Sequence, residues 1–280
     1  MTRGRLFVIS GCMAAAMVAG GTATVRAQTP APAPAPAPAP TPAPAVSAPP
    51  VAAALPPADE VLKKYRAAIG GEEAIRKYTA RSVKGTFEIP AQGMKGDLTI
   101  MAAAPDLIRV VVTLPGLGEL QRGYNGKLGW SIDPAIGPRL LEGNELAEFK
   151  HSAEFYEDLH EPAKFKSVQV VGKALFEGQD CYELKLVRDS GFEYTEFFSV
   201  ATGLLVGAKL NASSQMGSVP VTSVVADYKE FGGVLMPKVT RQRMMGLEQV
   251  TTIISVTFDP IDPKSFELPP AIAALAAQKK

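Results

Sequence analysis

The sequence predicts a mainly β fold with a few helices: a barrel or curved antiparallel meander spanning residues 58–280 of the 280-residue chain. Three observations predict it. Short runs of alternating apolar residues recur at regular spacing, turn signals separate them, and one amphipathic helical stretch interrupts the series. The alternation is plain in Val250, Thr252, Ile254, Val256 and Phe258 of the last run, and in Leu128, Trp130 and Ile132 of another. Asn125-Gly126 is a two-residue hairpin signal between two runs.

The chain begins with a targeting segment. Residues 1–27 hold Arg3 and Arg5, then an apolar stretch from Leu6 to about Gly20, then small residues ending in Val25-Arg26-Ala27. This is an export signal with cleavage expected between Ala27 and Gln28. Ile9-Ser10-Gly11-Cys12 offers a second reading, a lipobox with lipidation at Cys12, although only Leu6–Val8 precede it as an apolar core. An uncleaved anchor is a third. Residues 28–57 are rich in Pro and Ala and predict an extended, disordered linker. Its length would suit a tether if its far end were attached; such a tract also serves as a simple spacer.

The folded part opens with a helix in which Val61, Leu62, Tyr65, Ala68 and Ile69 share one face and Gly70-Gly71 mark the stop. A shorter helical turn follows in EEAIRKY. Strands are expected near 81–89, 94–103, 106–114, 117–124 and 127–133. After the interruption they resume near 165–176, 181–188, 192–200, 204–213, 217–230, 234–244 and 248–258. The interruption, residues 143–160, places Phe149, Ala153, Tyr156 and Leu159 on an apolar stripe. Lys150, His151, Glu154 and Asp158 form an opposite face expected to be solvated, and Pro162 ends the helix. Such a helix is expected to lie on the mouth or concave face of the sheet as a lid.

Charge and chemistry exclude several functions. The chain has 29 basic and 28 acidic residues, and the first 27 hold three arginines and no acid. The remainder is therefore slightly acidic with interspersed charges, which is no footprint for nucleic acid. Cys181 is the one cysteine of the folded part, so no intrachain disulfide is expected there. His151, Glu154 and Asp158 share a helical face, but the only other histidine, His160, falls near the apolar stripe, and no metal is expected. No G-x-S-x-G, H-E-x-x-H or phosphate-binding glycine loop occurs, and neither enzymatic activity nor a cofactor is expected.

The hairpin tips are unusual. Tips are normally built from Asn, Asp, Gly and Ser, yet Met94, Leu117, Met216, Met244 and Met245 fall at turns of one parity within each strand block. If the two blocks share an end, these residues form an apolar rim for lipid, a ligand mouth or another protein. The alternative is that they fold inward and pack.

YNGKLGWSIDPAIGPRLLEGNEL, FEYTEFFSVATGLLVG, YKEFGGVLMPKVTRQRMMG and FDPIDPKSFELPP, in that order along residues 58–280, together resemble the LolA/LolB-like outer-membrane lipoprotein-sorting group, the first of them an uncharacterised branch of it. The resemblance implies an open half-barrel of about 11–12 antiparallel strands, with helices lidding an apolar concave face. It further implies a periplasmic, non-enzymatic carrier of the acyl chains of lipoproteins or lipids, or a module of the same fold that senses envelope stress or binds other proteins without cargo. The Pro-Ala tract and Ser199, where an acidic residue is common, depart from the group's pattern. On this reading the cavity wall is Leu128, Trp130, Ile132, Tyr182, Leu184 and Leu186, with Trp130 on the concave face. The lid is Phe149, Ala153, Tyr156 and Leu159, and an acylated lipoprotein or lipid is the expected partner.

Overall fold

The computed structural model describes residues 54–214 and 217–278. The predicted signal, most of the predicted linker and Met216 lie outside the described residues. Helix α1 (Ala58–Ala68) turns Val61, Leu62 and Tyr65 inward, and Ile69 just beyond its end is buried as well. Gly70 and Gly71 take the positive φ angles of 124° and 89° that end it. Helix α2 (Glu72–Arg76) follows, with Arg76 Nε donating to Glu72 at 2.7 Å.

Among the described residues, thirteen strands form one antiparallel sheet. The first block is β1 (Ala80–Ile89), β2 (Met94–Ala103), β3 (Leu107–Leu114), β4 (Gly118–Asn125), β5 (Gly129–Asp133) and β6 (Gly137–Leu140). The second is β7 (Phe165–Phe176), β8 (Gln179–Arg188), β9 (Glu193–Ser199), β10 (Leu205–Ser214), β11 (Gly217–Phe231), β12 (Val234–Met244) and β13 (Leu247–Thr257). Each block is a meander, and β13 pairs with β1 to join them. The edge strands are β6 and β7, which do not pair with each other, so the barrel is open. A single connection, residues 141–164, runs between those edges. It contains helix α3 (Gly143–Ala153) and two 3-10 turns, Glu157–Leu159 and Pro162–Lys164.

The open half-barrel is the expected one, with differences in detail. Strand β6 was not expected; its Pro138 weakens the strand signal and is tolerated because β6 is an edge. The expected continuous helix over 143–160 stops at Ala153. There the amide of Phe155 donates to the carbonyl of Pro105 at 2.9 Å instead of continuing the helix, and His160 takes a left-handed φ of 48°. A fourth helix, α4 (Pro270–Gln278), was also not expected. It starts at a proline, favourable in a first turn, and lies against β6 with Ile272 wholly buried.

The concave face carries two apolar cores. One gathers the inner side chains of β1–β4, including Val83, Ile100, Val110 and Val112, under Phe149 and Ala153 of α3. The other gathers Leu184, Leu186, Phe198 and Leu210 of β8–β10 under Val61, Leu62 and Tyr65 of α1. Tyr156 packs against both.

Trp130 is not on the concave face. Val110, Arg122 and Ser131 lie side by side across β3–β5, and Arg122 reaches inward to α3. The alternate set, Arg109, Gly123 and Trp130, therefore points outward. Leu128 and Ile132 share that outer parity. Trp130 is nonetheless 2% exposed, and the 3-10 turn Pro263–Phe266 covers this outer face, with Arg109 Nη1 donating to the Ser265 carbonyl at 3.3 Å. The alternation in the sequence was real, but a strand covered on both faces hides which side is the interior.

The indole lies directly over Gly123: a Cβ added there would fall 2.5 Å from Trp130 Cζ2 and 2.6 Å from Cε2. Gly123→Ala is expected to cost about 1–3 kcal/mol through overpacking. Gly172→Ala on β7, where nothing lies within 4 Å, is expected to be neutral or slightly stabilising. Urea midpoints of the two variants check the contrast.

Candidate functional site

The candidate site lies between the roof segment 143–164 and the concave face of β8–β11. Helix α3 spans the mouth of the sheet and is fastened on both sides. On the first block, Glu145 accepts from Arg139 twice at 2.7 Å and from Arg122 at 3.0 Å. The Arg139 guanidinium is raised above its ordinary value, chiefly by that hydrogen bonding to Glu145. On the second block, Glu148 accepts from the Ser213 amide at 2.8 Å and its hydroxyl at 2.6 Å. His151 Nε2 lies 2.8 Å from Ser190 Oγ, and its ring stacks near Phe192.

Beyond α3 the roof carries an acidic stretch into the interior. Arg188 of β8 donates from Nη2 to Glu157 Oε1 at 2.9 Å and from Nη1 to Glu154 Oε2 at 3.1 Å. Tyr65 of α1 donates to Asp158 Oδ1 at 3.1 Å, and Arg66 Nη1 donates to the Leu159 carbonyl at 3.2 Å. His160 Nε2 meets Glu196 Oε2 of β9 at 2.8 Å, while Nδ1 lies 3.1 Å from the Asp158 carbonyl. Arg81 of β1 reaches the Phe155 carbonyl at 3.5 Å and sits over the Phe155 ring. The face expected to be solvated is therefore partly interior: Asp158 is buried, because the helix breaks before it and turns it toward α1.

Glu157, Glu154, Arg81 and Tyr194 titrate away from their ordinary values. Burial pushes Glu157 well up, and Glu154, Asp158 and Glu196 add to this against the opposing pull of Arg188. Burial also acts to raise Glu154, but His151, Arg188 and Lys164 outweigh it and hold that carboxyl below its usual value. Burial lowers Arg81, with Asp158 and Glu157 opposing. For Tyr194, beside Arg188, burial raises the phenol well above its ordinary value, helped by Glu196. His151, Glu154 and Asp158 do not converge, and among the described residues no three His, Cys, Asp or Glu side chains form a metal-holding group.

A narrow cavity of about 30 Å³ remains beneath α3. Phe192, Tyr194, Leu205 and Leu210 supply apolar walls, and Glu148, His151, Ser152, Glu157 and Ser223 supply polar ones. None of the six residues read as cavity wall lines it. Leu128, Trp130 and Ile132 are on the outer face, while Leu184 and Leu186, with Tyr182 beside them, belong to the core under α1. Of the lid residues, Phe149 and Ala153 cover the first core, Leu159 enters the second, and Tyr156 touches both. Glu157, Arg188, Glu196 and Ser223 were not singled out from the sequence. Arg188 and Glu196 lie at inward positions of otherwise apolar runs, a signal that was available.

The two blocks do share an end. Glu88 pairs with both Lys95 and Val250, so the β1–β2 and β12–β13 tips are neighbours, and the β3–β4 tip lies on the same end. There Met245 is 63% and Leu117 41% exposed, and Ile136 of the β5–β6 turn joins them. Met94 is half-buried against the first core. Met244 is not a rim residue: it is 5% exposed, packed inward in the second core.

No protein-family model matches the chain, and no curated protein matches it. Solved structures do. A LolA superfamily protein from Nitrosomonas europaea aligns over 76% of this chain and 99% of its own, with a TM-score of 0.51 at 14% identity. The fold is LolA-like. A DUF1329 family protein from Desulfovibrio piger aligns over 75% of this chain and 97% of its own, with a TM-score of 0.54 at 13% identity. At these identities the likeness is one of architecture, and the LolA-like sheet here carries its own set of roof contacts.

Ionisation of Glu157 is expected to set part of the pH dependence of stability. The unfolded carboxyl titrates near its ordinary 4.5, and the folded one keeps its proton to higher pH. Between those values the folded protein binds the extra proton, so stability falls as pH rises through that window. Glu157→Gln is expected to flatten this slope and to exceed the wild type in stability at its upper end, read by urea unfolding between pH 5 and 8. Arg188→Met, which leaves Glu154 and Glu157 without their shared buried partner, is expected to cost about 3–5 kcal/mol at pH 8.

Proposed function

We propose that the protein is a non-enzymatic envelope protein that binds acyl chains of lipoproteins or lipids beneath the α3 roof. The observation that carries this reading is the way the apolar concave face is covered. Among the described residues no strand closes the barrel, and the cover over the first block is a helix fastened at its margins by Glu145 and Glu148. Lifting that helix exposes the inner faces of β1–β4 and β10–β11, and a fatty chain can replace the covering side chains. Each buried CH₂ contributes about 0.8 kcal/mol, so a chain needs no charged site to be held. The LolA-like fold supports the reading, and the export signal read in residues 1–27 supports a periplasmic place for it.

A second reading has its own support. The cavity beneath α3 is about 30 Å³ and holds one or two water-sized groups, so with the roof in place that space has no room for a chain. The exposed Leu117, Ile136 and Met245 share one end of the sheet. A roofed space with no room for a chain, together with an apolar end, suits a module that docks on another envelope protein without cargo.

The two readings separate in a binding experiment. Trp130 on the outer face is a poor reporter of the interior, whereas Phe192 lines the residual cavity. In Phe192→Trp, fatty acids brominated on the chain are expected to quench the new indole saturably at about one ligand per protein, with the wild-type Trp130 emission little changed. Equal quenching in both proteins would place the chain outside the roofed site. Absence of binding would leave the interaction module as the better reading.

A further inference from the structure

Two buried oxygens at the residual cavity have no hydrogen-bond partner among the described residues. Ser223 is 1% exposed and stands on the inner face of β11, in line with Val219 and Val221 of the second core, yet its Oγ is unpaired. Glu157 is 9% exposed and hangs from the roof. Its Oε1 accepts from Arg188 while its Oε2 is unpaired. Both residues line the same cavity, whose other walls include Phe192, Tyr194, Leu205 and Leu210. A serine among valines costs stability when its hydroxyl is unmade, and an alanine or valine would serve packing better. Two such groups, one on the sheet and one on the roof, bracket a space of about 30 Å³.

We propose that Glu157 and Ser223 form a seat for the carbonyl group of an acyl ester or amide, the linkage that joins a fatty chain to the molecule that carries it. The inference rests on the acyl-binding reading above and specifies which part of the ligand is recognised and where. A carbonyl oxygen has two lone pairs and accepts two hydrogen bonds. Ser223 supplies one O–H. Glu157 supplies the second in its protonated form, which burial favours, while its other oxygen stays on Arg188. The space suits a group of one or two heavy atoms, such as a carbonyl, and not a chain, so the chain itself lies along the apolar surface that α3 uncovers.

The test compares ligands that differ in the carbonyl alone: 1-dodecanoylglycerol, its ether analogue 1-O-dodecylglycerol, and the amide N-(2-hydroxyethyl)dodecanamide, titrated against the full chain without its signal. For the wild type, the ester or the amide is expected to bind about five- to tenfold more tightly than the ether, the range one or two hydrogen bonds supply. Ser223→Ala is expected to erase most of that ratio while raising the melting temperature of the unliganded protein by about 2 °C or more, since an unpaired buried hydroxyl is removed. Glu157→Gln, whose amide still donates, is expected to keep most of the ratio, and Glu157→Leu to lose it.

Equal binding of ester, amide and ether by the wild type would overturn the seat and leave the acyl-binding reading intact. An unchanged ratio in Ser223→Ala would overturn it too. So would a fall in melting temperature in that variant, which would mean that the hydroxyl is already satisfied, by water, in the unliganded protein. Failure of all three ligands to bind would overturn the acyl-binding reading and the seat together.

Discussion

An antiparallel sheet that curls without closing leaves its concave face to be covered by something other than strands, and the rest of this structure follows from that. Strands β6 and β7 are the two edges, and the strands between them carry Val110, Val112, Leu184 and Leu186 toward the open interior. Leaving such surface in water is unfavourable by roughly 25 cal/mol per Å². The connection between the edges, residues 141–164, is where the chain crosses the mouth, and α1 supplies the remaining cover. Coverage from two directions explains why the concave face carries two cores rather than one. Tyr156 packs against both, at the place where the roof passes from one to the other.

Roofing a sheet with an irregular segment brings polar groups into apolar space, and those groups need partners. After α3 ends, the amide of Phe155 finds Pro105, the carbonyl of Phe155 finds Arg81, and the carbonyl of Leu159 finds Arg66. The acidic side chains of the same stretch find Arg188 and Tyr65 of the surrounding elements, and His160 of the stretch meets Glu196 of β9. Buried charge pairs of this kind add little net stability, because desolvation offsets attraction. Their effect is to fix where the roof sits, since a shift strands a charge. They also alter what lifting the roof costs. Apolar cover that is removed gains nothing from water, whereas Glu145, Glu148, Glu154 and Arg188 regain hydration when their contacts part.

How much of this the sequence made legible depends on which physical signal each element carries. The long strands read well because alternation and turn residues are local, and β2, β7 and β12 occupy the spans expected for them. Strand β6 is four residues with a proline, and α4 is an alanine-rich tail; each is stabilised by what it lies against, which no local pattern reveals. Trp130 shows the limit of alternation. It identifies two faces and does not say which is interior when the 3-10 turn Pro263–Phe266 covers the outside. The tips behave similarly: Met244 and Met245 are adjacent in sequence, yet one is in the core and the other in water, because a two-residue turn reverses the direction of successive side chains. The polar cluster was hard to foresee for a different reason. Glu154, Glu157 and Asp158 look like a solvated helix face until the helix breaks, and the break is decided by a hydrogen bond to Pro105 in another part of the chain.

The two covers are not equivalent, and the difference bears on where a ligand would enter. Under α1, Tyr65 and Ile69 are wholly buried, Tyr65 packs edge-on to Phe198, and Lys64 and Arg66 fasten the helix to the backbone of Val200 and Leu159. That side behaves as permanent core. Helix α3 buries only Phe149 and Ala153 among its eleven residues and is held chiefly through two glutamates at its margins. The residual cavity lies on the α3 side, beside β10 and β11, as do two of the three unpaired buried side-chain oxygens among the described residues, those of Glu157 and Ser223. Imperfect packing and imperfect hydrogen bonding thus coincide beneath the more weakly fastened cover. That coincidence is what makes α3, and not α1, the element whose displacement a ligand would most readily stabilise.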